Sequence, residues 1–206
     1  MEPTATQIQL RDGSALTVRP VEPGDGRHIL EVWDGMSELS RRRRFLTPAN
    51  EVSEEDLRYL VDVDHRRHEA LLALDDDGHA VAVARYVRTP GEPTSAEVAV
   101  VVTDAWHRRG LGTALLERLT ALARENGIKN YSAVVSEDNE IVLDALDRAG
   151  AIRTGETGQG EVELSIPLPA EGIGDRMAAA LHAAAEAPRE FLSAGLRQLG
   201  AWRSER

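Results

Sequence analysis

Apolar positions fall into two periods along the chain, and the switches between them mark its elements. Short β-branched or alternating runs predict strands over residues 15–19, 70–74, 80–87, 98–102, 131–136, 151–154 and 161–166. Apolar residues three and four apart predict helices over 24–36 (Ile29, Leu30, Val32, Trp33), 37–46, a segment opening at Ser53 (Leu57, Leu60, Val61), and 111–125. A further helix starts at Asp138 or Asn139 and runs to Arg148. Punctuation agrees with this reading. Ser53-Glu54-Glu55-Asp56 has the form of a capping box, Asp75-Asp76-Asp77-Gly78 of a hairpin turn, and Asn126-Gly127 and Gly150 of helix stops. The order β-α-α-α-β-β-β-α-β-α-β-β predicts a mixed α/β domain.

Pro167-Leu168-Pro169 divides the chain into residues 1–169 and an Ala-rich, helical segment, 170–206, interrupted at Pro188. Leu192, Leu196, Leu199 and Trp202 repeat there at helical spacing. That stripe suits packing on its own domain, a homodimer contact, or docking to a larger partner.

The most informative stretch is Glu97 to Thr113. Val98 to Val102 reads as a strand covered on both faces, and Arg108-Arg109-Gly110-Leu111-Gly112-Thr113 then leads straight into a helix. A helix N-terminus has unpaired N–H groups and partial positive charge, and Gly110 and Gly112 clear the approach of an anion such as a pyrophosphate. Two common nucleotide loops do not fit. A P-loop needs a Lys after its second Gly, and the one lysine here is Lys129; a dinucleotide fingerprint needs a third Gly where Leu115 stands.

His107-Arg108-Arg109-Gly110-Leu111-Gly112 resembles the acetyl-CoA loop of the GNAT N-acetyltransferase family, Gln/Arg-x-x-Gly-x-Gly/Ala, with His107 departing from it. The likeness runs from about Gln7 to Pro169. It extends to bacterial protein-lysine acetyltransferase domains through Leu10-Arg11-Asp12-Gly13, Val18-Arg19-Pro20, the 40–46 segment and Ala96-Glu97-Val98-Ala99-Val100-Val101-Val102. This resemblance implies a mixed, mostly antiparallel twisted sheet of six to seven strands flanked by helices. It also implies acetyl-CoA as co-substrate, an amine acceptor (a protein lysine or a small amine), and an N-acetyltransferase reaction. Val100, Val101 and Val102 would lie along the pantetheine arm, with their N–H groups polarising the thioester carbonyl. His107, Arg108, Arg109, Gly110, Leu111, Gly112 and Thr113 would surround the phosphates.

Glu97 is the candidate general base. A carboxylate inside an apolar strand holds its proton more tightly when desolvated, which suits it to take one from an ammonium. An ion pair with Arg85 on the neighbouring strand is the structural reading of the same residue; the resemblance favours the base. Asn139 falls where the family commonly contacts pantetheine, and a helix-cap role explains it equally well. The family's acid, a Tyr four residues before the glycine that ends the helix, is replaced by Leu146. An alternative reading is therefore a catalytically silent acyl-CoA-binding sensor or scaffold.

Composition narrows the field further. With no cysteine there is no disulfide, thiolate metal site or Cys-acyl intermediate. A net charge of -11 argues against nucleic acid as a main partner and leaves Arg41–Arg44 as a helix face or cleft wall. His65-Arg66-Arg67-His68 has no ligand cluster around it, so no metal is expected and both histidines read as surface. No apolar run suggests a signal peptide or membrane span, which points to the cytoplasm.

Overall fold

The computed structural model describes residues 4–37, 52–137, 140–156, 160–175 and 177–180. Among these residues eight strands form one sheet in the order β1-β2-β3-β4-β5-β6-β8-β7. They are β1 (Thr6–Gln9), β2 (Ala15–Pro20), β3 (His68–Leu74), β4 (Ala80–Arg88), β5 (Ser95–Val102), β6 (Asn130–Ser136), β7 (Ile152–Glu156) and β8 (Glu161–Pro167). Every neighbouring pair is antiparallel except β5 and β6. The strand beyond the expected seven is β1. Its four residues alternate half-buried and exposed, too short a pattern to stand out in sequence, and it folds onto β2 through the Leu10–Ser14 turn.

Two helices cover one face of the β2–β5 half: α1 (Gly26–Asp34) and α2 (Glu54–Val61). Ile29 and Val32 of α1 and Val61 of α2 join Ala70, Leu72 and Val83 in that core. The Ser53 hydroxyl caps α2 by accepting the Asp56 N–H at 3.1 Å, as the capping pattern predicts. The second expected helix, 37–46, with Arg41–Arg44, lies outside the described residues apart from Ser37.

The opposite face carries α3 (Leu111–Glu125) and α4 (Glu140–Arg148). Leu115, Leu116 and Leu119 of α3 and Leu143 and Leu146 of α4 pack with Leu71, Ala84, Tyr86, Val100, Tyr131 and Leu164. Ile173, Met177 and Ala180 are buried in this same core, beyond the Pro167-Leu168-Pro169 segment. Arg124 of α3 ties down their approach by donating to the Pro169 and Gly172 carbonyls. The Leu192–Trp202 stripe lies outside the described residues. No helix among the described residues is long and apolar enough to cross a membrane.

Candidate active site

Strands β5 and β6 are paired over only three positions, Ser95–Glu97 against Asn130–Ser132. Both continue beyond that point, β5 to Val102 and β6 to Ser136, without pairing further. A wedge therefore opens between them just past Glu97.

The ladder on the other side of β5 settles which backbone groups face the wedge. Thr103 donates to Val81 and Thr89 to Ser95, which fixes the phase of the β4–β5 ladder. In an antiparallel pair such hydrogen-bonded positions alternate, so Glu97, Ala99 and Val101 bond toward β4. The backbone groups of Val98, Val100 and Val102 are directed toward β6. Of the three expected valines, Val101 thus turns its N–H to β4 and its side chain to the α1–α2 core. Val102 C=O accepts from His107 Nε2 at 2.9 Å.

The far end of the wedge is the start of α3. Asp104–Trp106 forms a single 3-10 turn after β5, and Arg108 and Gly110 then take left-handed backbone at φ 59 and 87. Gly110 is the N-cap, so no side chain fills the cap, and the first turn of α3 has no acidic residue. The first helical bond is Ala114 N–H to Gly110 C=O, which leaves the N–H groups of Leu111, Gly112 and Thr113 without an intrahelical acceptor. Leu111's side chain is core, so this residue offers a ligand its backbone only. Arg109 lies 4.7 Å over the Trp106 ring, with Asp12 at 3.6 Å; both it and Arg108 are exposed. Close packing of α1 steadies this junction. A Cβ on Gly35 would stand 2.5 Å from Thr103 Cγ2, and Gly35 C=O accepts the Asp104 N–H.

Glu97 stands at the last paired position before the wedge, on the α1–α2 face of the sheet, with its Oε2 buried. Arg85 shares that face, yet makes no ion pair with Glu97. Its Nη1 donates to His68 Nε2 and its Nη2 to Leu60 C=O, each at 3.2 Å. The Arg85–Glu97 ion pair considered from sequence is replaced by a bond to α2. Burial lowers Arg85 to about 10, so it stays a cation at neutral pH. Burial, then the Arg85 charge, pushes His68 down to about 3 and keeps it a neutral acceptor.

His68 is thus buried, against the surface location expected from sequence. The missed signal was phase: His68 is in step with Ala70 and Leu72, which face the core. Glu69 was missed too. It is buried and accepts from His65 Nδ1 at 2.8 Å and from the Ala70 N–H. Tyr59, also unnoticed, stacks on His68 with ring centroids 5.2 Å apart. Asn139 lies outside the described residues. Leu146, at the family's acid position, is fully buried. Among the described residues no group of three or more His, Asp or Glu side chains could hold a metal ion.

A mixed sheet whose central strands part, next to an uncapped helix entered through left-handed backbone, defines an acyl-CoA-type acetyltransferase fold. Residues 33–151 match the Acetyltransferase (GNAT) family, and the chain belongs to it. Acetyltransferase Pat of Mycolicibacterium smegmatis is 33% identical over 150 residues, 72% of this chain and 45% of that protein. The chain therefore spans less than half the length of this relative. Acetyltransferase PA5475 of Pseudomonas aeruginosa is 30% identical over 138 residues, 66% of this chain and 74% of that protein. The solved GNAT domain of S. lividans PAT superposes with a TM-score of 0.68 at 29% identity, covering 80% of this chain and 97% of that one. GNAT enzymes use acetyl-CoA as co-substrate. The wedge and the acid-free, uncapped start of α3 fit that molecule.

Proposed function

We propose that this chain is an acetyl-CoA-dependent N-acetyltransferase that acylates an amine directly, with Glu97 as general base. The observation that carries the reading is the position of Glu97 at the closed end of the β5–β6 wedge, whose far end is the start of α3. The N–H groups of Leu111, Gly112 and Thr113 hold the pyrophosphate, favoured by the positive end of the helix. Gly110 gives the loop its left-handed entry, and His107, bound back onto Val102, closes one side. Val100 directs its N–H group to the wedge as a donor for pantetheine or for the acyl oxygen, whereas the Val98 N–H is taken by the last β5–β6 pair, Glu97 with Ser132. Acetyl-CoA supplies an activated thioester carbonyl when bound. Glu97 accepts the ammonium proton of the acceptor, which frees the nitrogen lone pair to attack the thioester carbon; the C–S bond then breaks and CoA leaves as a thiolate, which takes its proton from water or from the product nitrogen. Without a cysteine the chain has no thiol to carry the acyl group, which favours direct transfer. Likeness to bacterial protein-lysine acetyltransferase domains supports a lysine side chain as the acceptor.

The fully buried Leu146, where the family places its acid, favours a second reading: a silent acyl-CoA-binding sensor. Single-turnover transfer from labelled acetyl-CoA to lysine peptides and small amines separates the two. We expect transfer by the wild type. In Glu97→Gln, acetyl-CoA affinity should hold while turnover falls by roughly two to four orders of magnitude, less at alkaline pH. Binding without any transfer would establish the sensor, and wild-type turnover in Glu97→Gln would remove it from the base role.

A further inference from the structure

Arg85 is a fully buried cation with no carboxylate at ion-pair distance among the described residues. A charge so placed is costly unless several partners share it, and its two bonds go to unusual ones. Leu60 belongs to the last turn of α2, where carbonyls lack intrahelical partners and the helix end is partially negative. Arg85 caps that turn from beneath, out of the sheet. The second bond goes to the lone pair of a neutral His68, on whose ring Tyr59 of α2 is stacked. His68 is itself fixed, since Asp64 Oδ1 accepts its backbone N–H at 2.9 Å.

These groups share a face with Glu97. His68, Val87 and Glu97 lie opposite one another across β3, β4 and β5, and Arg85 is one position along on the same face. The Tyr59 phenol, raised by burial, is within electrostatic reach of both Arg85, which lowers it, and Glu97, which raises it further. The end of α2 therefore lies over the row of side chains that carries the proposed base.

We propose that Arg85 is a positioning residue: it bolts the C-terminal turn of α2 to the sheet and so sets Tyr59 as the wall of the acceptor pocket beside Glu97. This rests on the proposed function, because the pocket matters only if an amine reaches Glu97. The bolt is selective by construction. Its side-chain bonds go to α2 and β3 and to neither β5 nor the start of α3, so its loss should disturb the acceptor and spare acetyl-CoA.

Two measurements on the full chain test this. The first is amide hydrogen exchange of Arg85→Met and Arg85→Lys, the latter in case the former fails to fold. Exchange across residues 54–61 should speed by at least about tenfold, while 98–102 and 111–125 stay protected. Unchanged exchange in 54–61 would refute the bolt, and a uniform rise would make Arg85 a general core residue instead. The second is steady-state kinetics with a lysine peptide. In Arg85→Lys and in Tyr59→Ala, kcat/KM for the amine should fall by roughly 10–100-fold, carried by the acceptor KM, with acetyl-CoA affinity unchanged. The double variant should lose little more than either single one, since both act through one wall. Equal losses for both substrates, or additive losses, would overturn the positioning role. A wild type that binds acetyl-CoA yet acetylates no amine would instead defeat the proposed function, an outcome read before any variant is made.

Discussion

Replacing Gly110 by Ala probes the entry to α3 through backbone conformation alone. A Cβ built at Gly110 meets nothing within 4 Å, so no clash contributes. The cost comes from φ 87, a left-handed value that an L side chain disfavours by roughly 1–2 kcal/mol. Against this, Ala narrows the unfolded ensemble and returns about 0.4–1 kcal/mol. The net loss is about 1 kcal/mol. For a chain of this size that lowers Tm by about 2–4 °C. Because the same backbone carries the N–H groups of Leu111 to Thr113, any relaxation of the strained entry also weakens acetyl-CoA, by roughly 5–30-fold if the full penalty is released in the free protein. Gly91, at φ 79 and equally open, is the control. Gly91→Ala should show a similar drop in Tm and no change in affinity. Differential scanning fluorimetry and isothermal titration of both variants provide the readout. A Gly110→Ala protein as stable and as tight-binding as wild type would show that the entry is not held left-handed and that the loop geometry assigned here is wrong.

Gly112→Asp should abolish acetyl-CoA binding in a folded protein by setting a carboxylate among the first-turn N–H groups of α3; unchanged calorimetric affinity would displace the pyrophosphate from that site. The Asp25 carboxyl, pushed up by burial but pulled further down by Arg19, the Glu22 N–H and His28, lies at about 2 instead of 3.8. Its folded value is depressed, so its stabilisation is complete above about pH 4 and is lost as pH falls through 2. Urea midpoints should therefore fall across that window in wild type and less steeply in Asp25→Asn. Ile173→Ala should cost about 2–5 kcal/mol by chemical denaturation, as for a core residue; a loss under 1 kcal/mol would detach this segment from the domain.

The elements of this fold were legible because each is written locally. The Val98–Val102 run, the Asp75–Gly78 turn and the Ser53 cap are signals within a few residues, and they correspond to β5, the β3–β4 hairpin and the start of α2. Gly110 was legible only as a residue that clears an anion's approach; its left-handed backbone is a finding of the structure. β1 escaped notice because a four-residue strand is specified mainly by its partner, β2. What the sequence leaves open is anything that depends on strand neighbours. The phase of the β4–β5 ladder, set by Thr103 on Val81, decided that Val98, Val100 and Val102, and not Val101, turn their backbone toward the wedge. The wedge itself is a pairing that stops after three residues, and nothing in β5 or β6 read alone records where two strands part. Arg85 is the clearest case. Beside Glu97 in the sheet it looked like the partner of a carboxylate, but its side chain is long enough to choose among several acceptors. Only the packing of α2 over β3 put the Leu60 carbonyl and a neutral His68 within its reach.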